Sequence, residues 1–332
     1  MAILEVRGLE VSFGSTKILR SVDFDLNAGE TLGVVGESGS GKSMTGFAIM
    51  GMLQRPGRVS AGSIKLEGRE LVGLREREMR SIRGKEIALV MQDPFTSLNP
   101  MMKIGDQIAE ALVLHRGMKR GAAWKASIEM LDTVGVPVPE VSANKFPHQM
   151  SGGQRQRVVI AMAFACRPKV LIADEPTTAL DVTLQAQILR LLRQLQEQEG
   201  TAVMLISHDI GAIASISARI AVFYAGRVVE TGPTEAVLRH GGHPYTRSLL
   251  NALPRVGTSR LEAIGGAPPD FAALPTGCSF APRCPLRIER CNEEPPLLAV
   301  SPLQAAACWR KDEVVTLPIG APLVAAENPV NP

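Results

Sequence analysis

Residues 30–35 form an apolar run that leads straight into Gly36-Glu37-Ser38-Gly39-Ser40-Gly41-Lys42-Ser43, and residues 44–53 continue in a helical pattern. The octet matches the phosphate-binding pattern G-x-x-x-x-G-K-S/T, and it stands where that pattern works, after a buried strand and at the start of a helix. A chance glycine- and serine-rich loop has no reason to carry both flanks. Gly39 and Gly41 let the backbone fold back so that successive N–H groups point at phosphate oxygens. The helix that Met44 continues adds the positive end of its dipole. Lys42 sets a cation against the β- and γ-phosphates, and the Ser43 hydroxyl is a ligand for Mg²⁺. All eight loop residues and Met44 are candidate nucleotide contacts.

About 110 residues further on, Met150-Ser151-Gly152-Gly153-Gln154-Arg155-Gln156-Arg157 opens a helix. Ser151 is a good N-cap, and Gly152 and Gly153 leave backbone N–H groups open, so Ser151–Gln154 reads as a second anion-binding nest. An ordinary capped helix is the plainer reading. One nucleotide does not need two such nests, however, and the economical interpretation is that this one closes over ATP held by another subunit.

Three further positions fit a hydrolytic site. Residues 169–173 are an apolar strand ending in Asp174-Glu175. Asp174 is placed to hold Mg²⁺, and Glu175 to orient or deprotonate the attacking water. His208 follows the next buried strand, 202–206, where it can reach the γ-phosphate and hold Glu175 and water in line. Gln92 closes the strand 87–91, and its amide can coordinate Mg²⁺ or the water. A lone His is usually structural and a lone Gln is a weak signal; their positions at the ends of buried strands raise both.

Strands are expected at 3–6, 9–13 and 64–66 as well, and helices at 104–116, 124–134 and 182–198. Strands alternating with helices imply a largely parallel, doubly wound sheet. The expected fold class is therefore α/β, a P-loop NTPase core with a mostly parallel sheet and antiparallel strands at the N-terminus. A helical insertion covers about residues 100–150, and a small Cys-rich extension lies at the C-terminus. The division falls at 1–240 and 241–332, because periodicity fades after about Gly232 and Pro becomes frequent from Pro254. Residues 319–332 are expected to be poorly ordered.

Bulk properties limit the partners. A net charge of +3 over 332 residues and 4% aromatic residues give no support for nucleic-acid binding. No apolar run approaches the ~18–20 residues of a membrane helix. The first residues carry no basic region followed by an apolar stretch, so no signal peptide is expected. A cytoplasmic location follows, with any membrane part supplied by other subunits.

In order and spacing, Gly36–Ser43, Gln92, Ser151–Gln154, Asp174-Glu175, Ala179-Leu180-Asp181 and His208 resemble the ABC transporter ATPases. The resemblance implies that Asp181 lies in the loop bridging two subunits, near the partner's catalytic water. It implies that Phe13 stacks on the adenine ring, where Tyr is more usual. Met150 replaces the usual Leu before the signature Ser, a volume-conserving change. Residues 78–84, 91–100 and 104–110 are similar to the ATPases of oligopeptide, dipeptide and nickel importers. So are His243-Pro244-Tyr245-Thr246 and Gly277-Cys278-Ser279-Phe280-Ala281-Pro282-Arg283-Cys284 in the tail. That branch implies a peripheral subunit on the cytoplasmic face of the inner membrane. Its partners would be two transmembrane permeases, a second and related ABC ATPase, and an extracytoplasmic binding protein that delivers substrate.

Cys278, Cys284, Cys291 and Cys308 follow the spacing C-x5-C-x6-C-x16-C. Zinc sites usually show a tight C-x2–4-C pair, which is missing here, whereas wider loops can hold an iron–sulfur cluster. The residues alone leave metal ligands and incidental thiols both open. The resemblance favours a 4Fe–4S cluster with a structural or regulatory role. Cys166 reads as a small buried hydrophobe.

Two other readings compete with an import ATPase. A non-transport ABC ATPase acting on nucleic acid or ribosomes would carry long coiled-coil insertions or two tandem units, against the short insertion and single unit here. An exporter ATPase is disfavoured by the cysteine tail and the region after Gln92. The choice among dipeptide, oligopeptide, betaine-like solute and nickel chelate lies with subunits outside this chain.

Overall fold

The computed structural model describes residues 2–178, 180–253, 264–317 and 323. The expectation of poor order at 319–332 therefore falls outside the described residues, apart from position 323. Twelve strands are seen among the described residues: β1 Ala2–Phe13, β2 Thr16–Asn27, β3 Thr31–Val35, β4 Gly57–Leu66, β5 Arg69–Glu70, β6 Ile87–Val90, β7 Val170–Asp174, β8 Ala202–Ser207, β9 Arg219–Tyr224, β10 Arg227–Pro233, β11 Leu298–Ser301 and β12 Gln304–Ala306. They form an antiparallel sheet in the order β2-β1-β4-β5 and a mixed sheet in the order β11-β12-β10-β9-β3-β8-β7-β6.

The centre of the mixed sheet is parallel, from β6 through β7, β8 and β3 to β9. Every residue of β3, β7 and β8 is buried, as expected for strands covered on both faces. Alternate residues feed two separate cores. Val35, Leu171, Ala173, Val203 and Leu205 face a core shared with the helices of the insertion. Leu32, Val34, Val170, Ile172, Met204 and Ile206 face the core beneath the antiparallel sheet.

The two strands expected at 3–6 and 9–13 are one strand. In β1 the buried apolar positions are Leu4 and Val6, then Leu9 and Val11. The inward phase flips between Val6 and Leu9, where the register with β2 shifts and Gly8 takes φ +55°. An irregularity of this kind keeps pairing intact while reversing which residues point inward, so the alternation looks interrupted.

The insertion consists of the helices Ile104–Arg116, Arg120–Thr133 and Pro139–Ser142, followed by Gly152–Ala165. Gly117, left-handed at φ 66°, ends the first of them. The second starts four residues before its expected beginning at 124, because its first turn, Arg120-Gly121-Ala122-Ala123, holds no large apolar residue.

The tail is woven into the core. Helices Thr234–His240 and Pro244–Asn251 follow β10, in a region where the sequence shows fading periodicity. The short strand β12 pairs with β10, Glu230 opposite Ala306. Glu230 is fully buried. Its carboxylate accepts bonds from the Gly242 and His243 amides at 2.6 and 3.0 Å and from Gln304 Nε2 at 2.8 Å. His243 caps the helix Pro244–Asn251, its Nδ1 accepting from Tyr245 N at 3.0 Å. Burial pushes the His243 pKa down to about 3, which keeps the ring a neutral acceptor.

Candidate active site

β3 delivers the chain into the phosphate loop, and two glycines there have steric reasons. A Cβ on Gly36 would stand 2.3 Å from the Phe223 carbonyl oxygen, a backbone atom that cannot move aside. Gly41, at φ +103°, caps the helix Lys42–Ile49 in a conformation costly for other residues. Lys42 is buried and its Nζ donates to the carbonyls of Gly36 and Glu37, each at 2.8 Å, and to Ser40 Oγ at 3.3 Å. Burial pulls the Lys42 pKa down, partly offset by the negative charges of Glu175, Asp174 and Glu37. A lysine tied to its own loop carbonyls is poised to exchange them for phosphate oxygens.

The ends of β6, β7 and β8 meet this loop. Ser43 Oγ donates to Asp174 Oδ1 at 2.9 Å. Burial raises the Asp174 pKa, against the Ser43 bond and the Lys42 charge. Glu175 is a hub. Gln92 Nε2 donates to its Oε2 at 3.1 Å, Thr178 Oγ1 donates to the same oxygen at 2.8 Å, and His208 Nδ1 lies 3.2 Å from Oε1. Burial pushes this carboxyl up, but the bonds from Thr178 and His208 and the charges of His208 and Lys42 outweigh it, so the net pKa is lowered. Glu175 sits at φ +48°, a left-handed conformation that strains a side-chain-bearing residue.

A cavity of about 540 Å³ opens over these groups. It is lined by Phe13, Ile18, Ser38, Gly39, Gly41, Lys42, Ser43, Met44, Gln92, Glu175 and Phe271. Gly36, Glu37, Ser40, Asp174 and His208 are not among its lining residues. The structure thus brings together the loop, Gln92, Asp174, Glu175 and His208 as expected from sequence. It does not bring Ser151–Gln154 or Asp181 to this cavity. Ser151 caps the helix Gly152–Ala165, with Gln154 N donating to Ser151 Oγ at 3.3 Å and Ser151 N to Gln154 Oε1 at 3.1 Å. Asp181 caps Val182–Glu199 by accepting from Leu184 N at 2.9 Å.

This chain belongs to the ABC transporter ATPase family. The family described as ABC transporter matches residues 19–178, and that described as oligopeptide/dipeptide transporter, C-terminal region, matches 229–291. The oligopeptide transport ATP-binding protein OppD of Salmonella typhimurium is 49% identical, over 94% of both chains. OppD of Bacillus subtilis is 48% identical, over 92% of this chain and 88% of its own. Among solved structures, a dimeric ATP-binding cassette in a post-hydrolysis state with ADP and Pi superposes with a TM-score of 0.62. It is 29% identical and covers 70% of this chain and 98% of its own length. Like its relatives, this ABC ATPase hydrolyses ATP, and the Lys42–Asp174–Glu175 group is its candidate centre.

Several residues of the ABC ATPase site escape a reading by motif. Thr178 stands three residues after Glu175, and a hydroxyl so close behind a proposed base was a usable signal. Tyr245 and Arg283 belong to tail segments recognised only as resemblance. Tyr245 OH accepts from Glu37 N at 2.7 Å, and Arg283 forms a two-pronged pair with the Glu37 carboxylate at 2.7 and 3.0 Å. Phe271 has no sequence signal at all.

The four tail cysteines converge. Cys278, Cys284, Cys291 and Cys308 line one small cavity together with Phe280, Leu286, Pro295 and Trp309. All five cysteines of the chain are free thiols. Among the described residues, no three His, Cys, Asp or Glu side chains stand in the arrangement that holds a single metal ion. Burial raises the pKa of Cys278, and pushes Cys284 up to about 11 and Cys308 up to about 12.

Proposed function

We propose that this chain is the ATP-hydrolysing subunit of a membrane importer that takes up oligopeptides or dipeptides. The observation that carries this reading is the 49% identity to an oligopeptide transport protein over nearly the whole of both chains, tail included. No described helix is long and apolar enough to cross a membrane, so the importer needs other chains to make its path. Two permeases, an extracytoplasmic binding protein and a second, related ATPase complete it, with this chain peripheral on the cytoplasmic face of the inner membrane. We divide the chain into an ATPase domain, 1–240, and an extension, 241–332.

ATP enters with its phosphates over the loop. Lys42 exchanges the carbonyls of Gly36 and Glu37 for β- and γ-oxygens, while the loop amides bind the same charge. Ser43, Asp174 and Gln92 are oxygen donors suited to Mg²⁺, which when bound neutralises phosphate charge. Glu175, kept ionised by Thr178 and His208, accepts a proton from the attacking water, which adds directly to the γ-phosphorus as ADP departs. No covalent enzyme intermediate is formed. The Ser151–Gln154 nest, with Ser151 and Gly152 exposed and outside the lining of this chain's own cavity, closes over the nucleotide of the partner ATPase, and Asp181 faces the same junction.

The convergence of four thiols on one cavity supports a 4Fe–4S cluster held by Cys278, Cys284, Cys291 and Cys308. Phe280, Ala281, Leu286, Pro295 and Trp309 make the walls largely apolar, and sequence loops of this width between thiols are compatible with an iron–sulfur group. Burial pushes the Cys308 thiol up, and Arg310 N, donating to its Sγ at 3.4 Å, offsets only part of that. The cluster's contribution is structural or regulatory.

The test is capture from detergent-solubilised membranes with the Glu175→Gln form and ATP. Recovery of two polytopic permeases and a second ATPase, with ATP-dependent peptide uptake on reconstitution, supports the reading. Recovery of ribosomes or nucleic acid alone overturns the importer role and leaves the ATPase chemistry.

A further inference from the structure

The nucleotide cavity has one wall that the ATPase motifs do not supply. Ten of its eleven lining residues come from the first 175 residues; the eleventh is Phe271, from the tail. We propose that Phe271 is the second face of the base-binding site, so that the nucleotide base lies between the Phe13 ring and the Phe271 ring. This deepens the reading above and rests on the cavity being the nucleotide site.

The placement of Phe271 is built, not incidental. Asp270 fixes a tight turn around it, accepting from Ala272 N through Oδ1 at 2.9 Å and from Ala273 N through its carbonyl at 3.1 Å. On its other side the ring reaches Gly226, where a Cβ would stand 3.2 Å from Phe271 Cε1 and only 2.0 Å from the Ile18 carbonyl oxygen. Only a residue without a side chain leaves that approach open. Gly226 is itself bound to the loop, its N donating to Ser40 O at 2.9 Å.

Arg283 supplies the bracket. Its Nε donates to the Gly265 carbonyl at 2.7 Å, at the start of the segment that carries Phe271. Its two terminal nitrogens hold the Glu37 carboxylate of the phosphate loop. The Arg283 side chain is only 5% exposed, so this pair is shielded from solvent and is held firmly. One side chain therefore fixes the distance between the phosphate cradle and the tail segment. A triphosphate seated on the loop would carry its base outward toward the two phenylalanines. Aromatic rings accept any base face by stacking, so the device serves affinity more than choice of base.

Calorimetric titration of the whole chain with ATP and with inorganic tripolyphosphate separates base from phosphate binding. Phe271→Ala should weaken ATP roughly tenfold and leave tripolyphosphate unchanged. Phe271→Trp should keep ATP affinity, and its added indole emission should be quenched by ATP but not by tripolyphosphate. Parent-like ATP affinity in Phe271→Ala, or equal losses for both probes, overturns the proposal, as does an indole in Phe271→Trp that ignores ATP. Lys42→Ala keeps the underlying reading distinct, since it should weaken both probes. If it weakened neither, the cavity would not be the nucleotide site at all.

Discussion

The guanidinium carbon of Arg155 lies 3.9 Å from the centre of the Phe95 ring. Phe95 stands three residues after Gln92, in the short helix Pro94–Ser97 that Asp93 caps through Phe95 N at 2.8 Å. Arg155 stands two residues after Gly153 and is anchored by its Nε to the Pro147 carbonyl at 2.8 Å. The pair therefore ties the segment of the residue that touches Glu175 to the start of the helix Gly152–Ala165, the nest we propose for a partner's nucleotide. Phe95 is 66% exposed, and a stacked cation at such a site contributes about 0.5–1 kcal/mol. Phe95→Ala should leave the isolated chain's ATP affinity unchanged and reduce the stimulation of hydrolysis by transport partners in reconstituted vesicles. Unchanged stimulation would remove the pair from the coupling path.

Glu175→Gln keeps the size of the side chain and the Thr178 contact but cannot take a proton. General-base contributions are typically about 10²–10⁴-fold, so steady-state hydrolysis should fall by that factor while ATP binding persists. Unable to hydrolyse, this chain and its partner ATPase should remain closed around ATP, seen as an ATP-dependent dimer by light scattering. Normal turnover in this variant would move the base elsewhere.

The pH dependence has a definite sign. Burial raises the Glu175 pKa, the Thr178 and His208 bonds and the charges of His208 and Lys42 lower it, and the balance falls below the ordinary glutamate value of 4.5. The base must be ionised to act, so the acidic limb of kcat should lie below that value. Thr178→Val removes a bond to the carboxylate, so protonation should then begin at higher pH and the limb should move up. His208→Ala should act in the same direction with a larger loss of rate, because the charge goes with the bond. A limb that stays put in Thr178→Val would show that Glu175 is not the group it reports.

What sequence revealed followed from which signals are local. The loop 36–43, β3 and the acid pair after β7 were legible because a buried apolar run ends on residues of fixed chemistry. Helix Ile104–Arg116 was legible in full, from apolar spacing up to Gly117. β2 is not legible as a strand. Its buried residues Val22, Phe24 and Leu26 alternate, but Ser21, at φ +53°, breaks the pattern from Leu19. The short strands β11 and β12 carry too little periodicity of their own and are defined by pairing, β12 with β10 and β11 with β12. Phe271, Tyr245 and Arg283 come to the phosphate loop from more than 200 residues away, a proximity that folding creates and no spacing encodes.

The cysteine tail offers the last test. Cys278 N donates to the Cys291 carbonyl at 2.9 Å, and Cys284 N to Ala281 O at 3.3 Å, so the thiol loops are partly held by backbone alone. The proposed cluster, bound to them, would add folding free energy to the tail. Cys284→Ser removes one of the four proposed ligands. Iron and labile sulfide per chain should fall, and the tail should be cleaved faster by protease than in the parent. Tripolyphosphate binding should persist, because Lys42 and Ser43 open the helix Lys42–Ile49, which follows β3 and carries none of the tail thiols. Iron chelation of the parent should reproduce the protease sensitivity. Equal iron in Cys284→Ser and parent would sink the ligand assignment, and equal protease resistance at reduced iron would show that the tail folds without it.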